Sequence, residues 1–185
     1  NWVLDEADLF PADEVGSARC SWFVATAEDA PCGVLRILYD PPLELYKQYN
    51  LQMTVKGIDV EEFVRNNKIA EIGRFGILPN QRRQILIAAS LMRATTREVI
   101  ERGYTHYITD VFEGEIHSPY QFHTRVIGFE QVATHDTGEL NAPNRRITLM
   151  LDLRRAYQRL KRNGNWIYRF LTRGWTKRMH AQLAG

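Results

Sequence analysis

The spacing of hydrophobic and polar residues predicts a hairpin early in the chain and alternating strands and helices after it. Apolar, partly β-branched runs at residues 20–26 and 33–39 flank a loop rich in turn-forming residues, which is the pattern of a β-hairpin. Further strands are predicted at residues 68–78, 104–111, 130–134 and 147–153. Helices are predicted at residues 60–66, 85–102 and 118–127, and in two pieces of the segment 154–185 that break at Asn163-Gly164.

The order of these elements predicts the fold class. A strand followed by a helix and another strand requires a crossover, so the strands at 68–78 and 104–111 are expected to be parallel, whereas hairpin strands are antiparallel. The sequence therefore predicts an α/β (α+β) fold with one mixed, mostly antiparallel, twisted sheet and helices on both faces. Internal repeats and low-complexity segments are absent from the sequence.

Length and composition indicate one ordinary globular domain. The chain has 185 residues, of which 44% are hydrophobic and 25% are charged, which is enough for one good core and too little for two. No apolar run approaches the roughly 20 residues that a membrane-spanning helix needs. The two cysteines, Cys20 and Cys32, are too few for a disulfide framework. We therefore expect a cytoplasmic protein with reduced thiols and no membrane-spanning segment.

Charge is distributed unevenly along the chain. The net charge is +2, but residues 154–185 contain nine of the 24 basic residues and no acidic residue. The other 15 basic residues are outnumbered by 22 acidic ones, so residues 1–153 carry a net charge of −7. Such a basic tail attracts acidic proteins, nucleic acid or anionic membranes, and charge alone does not choose among them. Alternatively the tail is a solvated amphipathic helix that packs its apolar residues on the domain, namely Trp166, Phe170, Leu171 and Trp175.

The strand at residues 68–78 and the helix after it carry the most informative pattern. Where a strand runs into a helix, the free N–H groups and the positive end of the helix dipole are presented at the end of the strand. Arg82 and Arg83 add positive charge at that point. The segment therefore offers a site for the phosphates of a nucleotide or a pantetheine arm. Loops with two arginines are also common without such a site, and the residues alone leave both interpretations open.

Four segments, taken in order along the chain, resemble one superfamily of enzymes. Residues 71–75 (EIGRF) resemble a Glu-x-x-Arg-Phe strand, and Trp2 with the later Asp13 resembles a tryptophan and acidic loop ahead of a strand. Residues 20–42 resemble a strand–turn–strand unit with a variable tip, and residues 124–129 (TRVIGF) resemble a helix end before a Gly-Phe pair. This ordered set is similar to the GNAT superfamily of N-acyltransferases. It is closest to the branch of acyl-homoserine-lactone (autoinducer) synthases and N-acyl amino acid synthases.

The resemblance implies a fold and a domain organisation. In this superfamily the helix after the fourth strand cradles the pyrophosphate or phosphopantetheine of the acyl carrier, and the next strand splays away to leave a slot for the thioester. We therefore expect a central splayed parallel pair of strands. The implied domains are a GNAT-like acyltransferase domain at residues 1–153 and a basic helical extension at residues 154–185 packed on it. The superfamily's N-terminal helix is expected to precede Trp2.

The resemblance also assigns roles to individual residues. It implies that Glu71 takes a proton from the attacking amine and that Arg74 anchors an acceptor carboxylate or the acidic loop. Backbone N–H groups near Phe75 to Ile77 would meet the oxyanion. Contacts with the substrate are implied for Trp2, Asp13, Phe75 and Tyr120. Contacts with the acyl carrier are implied for Ile77, Arg82, Arg83 and Gln84.

The sequence departs from the superfamily pattern at two of these places. The phosphate loop at residues 81–86 lacks the usual glycines. The lactone synthases also tolerate the loss of these glycines. The usual tyrosine acid falls on Thr124, so that role is vacant or moves to Tyr120.

The five histidines lack metal-ligand spacing, and no metal is expected. His117 and His123 flank the helix predicted at 118–127, and either is a candidate to line the cleft.

The sequence thus predicts an N-acyltransferase without a permanently bound cofactor. It would move a fatty acyl group from acyl carrier protein or from acyl-CoA to the amine of an amino-acid-like acceptor. The product would be an N-acyl amino acid, or an acyl-homoserine lactone of the quorum-sensing type if the acceptor is S-adenosylmethionine. The basic tail would then dock the acidic acyl carrier protein. Two other interpretations stay open: a non-catalytic GNAT-like module that binds nucleic acid or a membrane through its basic tail, and an ordinary acetyl-CoA-dependent acetyltransferase.

Overall fold

The computed structural model describes residues 16–42, 50–57, 59–82, 84–136 and 144–185. Its strands are β1 (Cys20–Ala27), β2 (Ala30–Tyr39), β3 (Gln52–Met53), β4 (Ile69–Ile77), β5 (His106–Phe112), β6 (Glu130–His135) and β7 (Arg146–Asp152). Its α-helices are α1 (Val60–Asn66), α2 (Ile85–Glu101), α3 (Leu153–Arg162), α4 (Trp166–Leu171) and α5 (Lys177–Ala184). A 3-10 turn, Pro79–Gln81, lies between β4 and α2, and a π-helical segment, Phe122–Ile127, precedes β6.

The strands form one mixed sheet in the order β1-β2-β4-β5-β7-β6-β3. β4 and β5, which helix α2 connects along the chain, are parallel neighbours in the sheet. All other neighbouring strands in this order are antiparallel. The prediction of a mostly antiparallel sheet with one central parallel pair is therefore confirmed.

The hairpin of β1 and β2 has a tighter turn than the sequence predicted. The strands continue to Ala27 and from Ala30, so a two-residue turn replaces the predicted loop at 27–32. Glu28 and Asp29 both have positive φ angles, +50° and +62°. That pair of left-handed residues matches the right-handed twist of the flanking strands. Turn geometry rather than composition sets the loop length here.

Helix α2 covers the hairpin side of the sheet and is held there at close range. A Cβ on Gly33 of β2 would lie only 3.0 Å from the Ile87 side chain and 3.2 Å from Leu91. The end of α2 is followed by Gly103, whose φ of +80° is readily adopted only by glycine. The buried residues of the helix are Ile87, Ala88, Ala89, Leu91, Met92, Thr95, Thr96, Val99 and Ile100. This packing fixes the N-terminus of α2 beside the end of β4.

A polar network joins the C-terminal half of α2 to the hairpin. The hydroxyl groups of Ser21 and Tyr39 donate hydrogen bonds of 2.6 and 2.9 Å to Glu98 Oε1, and Arg102 Nη2 lies 2.8 Å from the same oxygen. Burial alone would raise the pKa of Glu98, but the hydrogen bonds from Ser21 and Tyr39 and the charge of Arg102 hold it below its usual value. Burial also raises the pKa of Tyr39 to about 12. The helix is therefore tied to β1 and β2 by an ionised carboxylate as well as by apolar contacts.

The helix predicted at residues 118–127 is a π-helical segment over most of its length. The carbonyl oxygen of His123 accepts hydrogen bonds from the N–H groups of both Gly128 (2.7 Å) and Phe129 (2.9 Å), which widens the turn. Gly128 then ends the segment with a φ of +102°. Arg159 of α3 donates a hydrogen bond to the Ile127 carbonyl and occupies the space that a Cβ on Gly128 would need. A tertiary contact thus packs against the end of the π-helical segment.

The C-terminal segment forms three helices rather than the predicted two. A second break follows α4, where Gly174 has a φ of +83° and Thr176 caps α5 by accepting from the Met179 N–H. Trp166 is 47% exposed, which departs from the alternative interpretation in which it packs on the domain. The nine basic side chains of residues 154–185 are all exposed. Buried side chains that join the main core are Leu153, Ala156, Tyr157, Leu160, Ile167, Leu171, Met179 and Leu183.

None of the helices in the described ranges is long and apolar enough to cross a lipid bilayer.

We expect Gly128→Ala to destabilise the protein more than Gly103→Ala. Both positions have a positive φ, so alanine costs about 1–3 kcal/mol in backbone strain at either. Only at Gly128 would the new Cβ overlap a side chain, that of Arg159, which would lose its hydrogen bond to Ile127 at a further cost of about 1 kcal/mol. Denaturant unfolding of both variants measures the difference. Equal losses would contradict the role given to Arg159.

Candidate active site

A cleft opens where β4 and β5 stop pairing. The parallel ladder runs from Ile69 opposite His106 to Ile72 opposite Thr109, and it ends there although both strands continue. At the branching point the Thr109 hydroxyl donates a 2.8 Å hydrogen bond to the Ile72 carbonyl oxygen. A side chain thereby replaces the missing strand partner. The splayed parallel pair implied by the resemblance is present in the structure.

A β-bulge turns β4 at the start of the cleft. Gly73 lies opposite Arg36 and Gly76 lies opposite Val34, so two residues of β4 face one residue of β2. Arg74 in this bulge has a φ of +50°, a strained conformation for a residue with a side chain. The regular alternation of side chains between the two faces of a strand therefore does not extend past Gly73. Strain of this kind is frequently found at functional sites.

A buried arginine crosses β4 at Gly73 and reaches the candidate base. The Arg36 side chain is 2% exposed, and its Nη2 lies 3.4 Å from Oε1 of Glu71, which is 21% exposed. A Cβ on Gly73 would lie 2.8 Å from the same Nη2 atom, so only glycine leaves room for the guanidinium. Arg36 was missed in the sequence. A single charged residue inside an apolar strand was the signal that could have revealed it.

Most of the described candidate residues line one cavity of about 1140 Å³ at this cleft. They are Glu71, Arg74, Phe75, Ile77, Arg82 and Gln84. Tyr120 does not line the cavity; its carbonyl oxygen accepts a hydrogen bond from Thr124, and its ring packs against the core. Trp2, Asp13 and Arg83 lie outside the described residues.

The mouth of the cavity has the features of a phosphate site. The first turn of α2 has no acidic residue, and within the described chain no side chain caps its N–H groups. Gln84, Ile85 and Ala88 from this end of the helix line the cavity. Arg82 is exposed beside them, and its Nε donates a 3.2 Å hydrogen bond to the Ile77 carbonyl oxygen. Free N–H groups, a helix dipole and one guanidinium together can bind an anionic group.

The opposite wall of the cavity carries a further carboxylate and a further arginine, both missed in the sequence. Asp110 of β5 accepts a 2.8 Å hydrogen bond from the Thr148 hydroxyl and lies 3.1 Å from Nε2 of the buried His135. Arg146 lies over the Phe112 ring at 5.2 Å and also lines the cavity. Carboxylates and arginines at one cleft can bind the ammonium and carboxylate groups of an amino acid.

The π-helical segment forms a third, aromatic wall. Phe122 stacks on Phe75 with ring centroids 6.2 Å apart, and His123 beside them is buried. Burial lowers the pKa of His123 to about 4.

No cluster of three or more metal-ligating side chains occurs in the part of the chain that the structure describes.

Comparison with known proteins identifies the fold. No family model and no curated protein sequence matches the chain. FeeM, an N-acyl amino acid synthase from uncultured soil microbes, is similar over 91% of this chain and 82% of its own, with a TM-score of 0.61 and 17% identity. Aminoglycoside 6′-acetyltransferase type Ii is similar over 77% and 74%, with a TM-score of 0.52 and 14% identity. An acetyltransferase from Bacillus subtilis in complex with CoA is similar over 77% and 83%, with a TM-score of 0.50 and 15% identity.

These similarities show that the chain has the GNAT fold of N-acyltransferases, as the sequence motifs predicted. The splayed pair of β4 and β5 and the helix α2 that follows β4 are the elements of that fold that form the cleft described above.

We expect Gly73→Ala to cost about 1–3 kcal/mol in the free energy of unfolding, because the buried Arg36 guanidinium must move and lose its polar contacts. Gly76→Ala, three residues along the same strand, is the matched control. A Cβ there meets only Val34 Cγ1 at 3.8 Å, an ordinary contact, and we expect a change below about 0.5 kcal/mol. Urea unfolding of the two variants compares them. A Gly73→Ala variant as stable as Gly76→Ala would show that Arg36 does not need the space above Gly73.

Proposed function

We propose that this protein is an N-acyltransferase that moves a fatty acyl group from an acyl thioester to the amine of an amino-acid-like acceptor. The observation that carries the proposal is the cleft between β4 and β5, where the bulged end of β4, paired with β2 but no longer with β5, lies beside the Glu71 carboxylate. The thioester would belong to acyl-CoA or to acyl carrier protein. Both carriers present the same phosphopantetheine arm to the cleft.

The mouth of the cavity supports binding of such an arm. The N-terminus of α2 and Arg82 offer N–H groups and positive charge to its phosphate, and the splayed strands leave an open path inward. One structural neighbour is in complex with CoA. The side chains beyond the mouth favour a fatty chain over an acetyl group because they form an apolar lining, namely Phe75, Ile108, Phe112, Phe122 and Val126.

The reaction follows from the groups around the bulge. The acceptor amine attacks the thioester carbonyl carbon, a C–N bond forms, and the C–S bond breaks with its electron pair on sulfur. Glu71 takes the proton that the ammonium group must lose, through a water molecule. Arg36 holds this carboxylate in place at 3.4 Å. N–H groups of β4 near Phe75 to Ile77, past the end of the parallel ladder, stabilise the oxyanion.

Charges around the cavity support an acceptor that carries both an ammonium and a carboxylate group. Glu71 and Asp110 attract the ammonium group, while Arg74 and Arg146 attract the carboxylate. Free amino acids have this pair of groups, and so does S-adenosylmethionine. The similarity to an N-acyl amino acid synthase supports an amino acid as the first acceptor to test.

The test compares the wild type with Glu71→Gln. Purified protein is given acyl-CoA and acyl carrier protein donors of increasing chain length, with each amino acid or S-adenosylmethionine, and products are identified by mass spectrometry. We expect an N-acylated product whose kcat falls by roughly 10²- to 10⁴-fold in Glu71→Gln, because a positioned base is lost. Glu101→Gln, the same change on the outer surface of α2, is expected to leave kcat unchanged.

Other outcomes of this experiment would favour a different function. Turnover of acetyl-CoA alone would indicate an ordinary acetyltransferase. Equal turnover in wild type and Glu71→Gln would remove Glu71 from the mechanism. No product with any pair, together with retention on nucleic acid or anionic vesicles, would favour a binding module with a basic surface. Deleting residues 154–185 does not test that alternative, because their apolar side chains belong to the main core.

A further inference from the structure

The aromatic wall of the cavity holds a histidine that the chemistry above does not use. His123 is 0% exposed and borders the cavity. Neither of its ring nitrogens has a hydrogen-bond partner among the described residues. An unpaired buried polar atom costs about 1–3 kcal/mol, so this imidazole lowers the stability of the empty protein. A ligand in the cavity can supply the missing partner.

The surroundings of His123 fix the position of its ring. Three aromatic rings pack around it, Phe75 at 5.4 Å, Phe122 at 5.7 Å and Phe129 at 4.9 Å between centroids. Its backbone N–H donates to Pro119, and its carbonyl oxygen accepts the two hydrogen bonds that define the π-helical turn. The ring is therefore held beside Phe75 on the bulged end of β4.

The same surroundings keep the imidazole uncharged. Its aromatic neighbours on β4, on its own segment and before β6 are phenylalanines, and burial lowers its pKa to about 4. At neutral pH only about one molecule in a thousand then carries the imidazolium. A neutral imidazole has one N–H donor and one acceptor, so the ring can donate a hydrogen bond but is a poor proton donor.

We propose that His123 is a catalytic residue whose neutral ring N–H donates a hydrogen bond to the thioester sulfur of the acyl donor as it leaves. This inference rests on the function proposed above. The position of the ring supports this role, because an unpaired donor lies beside Phe75, next to the strand end where the acyl carbonyl would be held.

His123 does not give up a proton when the thioester is cleaved. When the C–S bond breaks, the electron pair and the negative charge go to the sulfur atom of the carrier. The His123 N–H stabilises this charge while keeping its own hydrogen, and the thiolate later takes a proton from water. A neutral donor suits this task because it needs no prior protonation, so its action is constant from about pH 6 upward.

His123→Phe is the direct test, because it keeps an aromatic ring of similar size and removes both nitrogens. We expect kcat to fall on the order of 10²-fold with little change in KM, and His123→Gln, which restores an N–H donor, to recover part of it. His180→Phe is the matched control: His180 also lies in an aromatic cluster, with Tyr157 and Trp175, but outside the cleft. Wild-type turnover in His123→Phe would overturn the inference.

The stability of the His123→Phe variant distinguishes a catalytic role of His123 from a purely structural role. The pKa of His123 is lower in the folded protein than in the unfolded chain, so the wild type loses stability as pH falls from about 6.5 to about 4. His123→Phe should be at least as stable as wild type at pH 7 and should lose less stability over that range. A variant that is inactive and also destabilised at pH 7 would contradict the proposal, since the ring would then be needed for packing.

A spectroscopic measurement tests the contact when turnover is absent. The wild type with ¹⁵N-labelled histidine is titrated with an unreactive thioether analogue of an acyl-CoA, and His123→Phe identifies the signal. We expect the His123 ring N–H to shift and to exchange more slowly with water. An analogue that fails to bind, or that binds without changing this signal, overturns the inference. A changed signal without turnover supports the donor contact and contradicts the proposed reaction.

Discussion

The separation of β4 from β5 is the constraint on which the site depends. Neighbouring strands normally pair along their whole common length because buried backbone groups need hydrogen bonds. Here the ladder stops at Ile72, where the Thr109 hydroxyl takes over the role of a strand partner. The bulge at Arg74, strained at a φ of +50°, turns the rest of β4 away. Continued pairing of the two strands would fill the slot and leave no N–H group for a ligand.

The cleft is held open by packing on both sides of β4. On one side α2 lies against the hairpin at the short distance that Gly33 allows, and the network around Glu98 ties down its far end. On the other side Arg36 crosses β4 in the space above Gly73 and meets Glu71. Both groups of contacts belong to strands and helices rather than to loops, so regular secondary structure positions the candidate side chains.

The elements of the fold could be predicted from local sequence, whereas much of the site could not. α1 lies where the sequence placed it, and α2 ends within one residue, because their signals are local spacing and terminal residues. The π-helical segment was predicted as an ordinary helix because the contact of Arg159 at Gly128 comes from a distant helix. Arg36 was missed because its contact with Glu71 depends on the register of β2 against β4, and Asp110 because its place in the cleft depends on where the β4–β5 ladder stops. Glu71, which lines the cavity, was made a candidate by its motif.

A crystal structure with a 2-oxoalkyl thioether analogue of a fatty acyl-CoA, which keeps a carbonyl group but cannot transfer its acyl chain, tests the central claim most directly. We predict that the phosphates lie at the N-terminus of α2 and that the pantetheine arm lies between β4 and β5. The acyl carbonyl oxygen is expected within about 3 Å of N–H groups between Phe75 and Ile77. An analogue bound outside this cleft, or a β4–β5 ladder that continues past Ile72 with the analogue excluded, would contradict it.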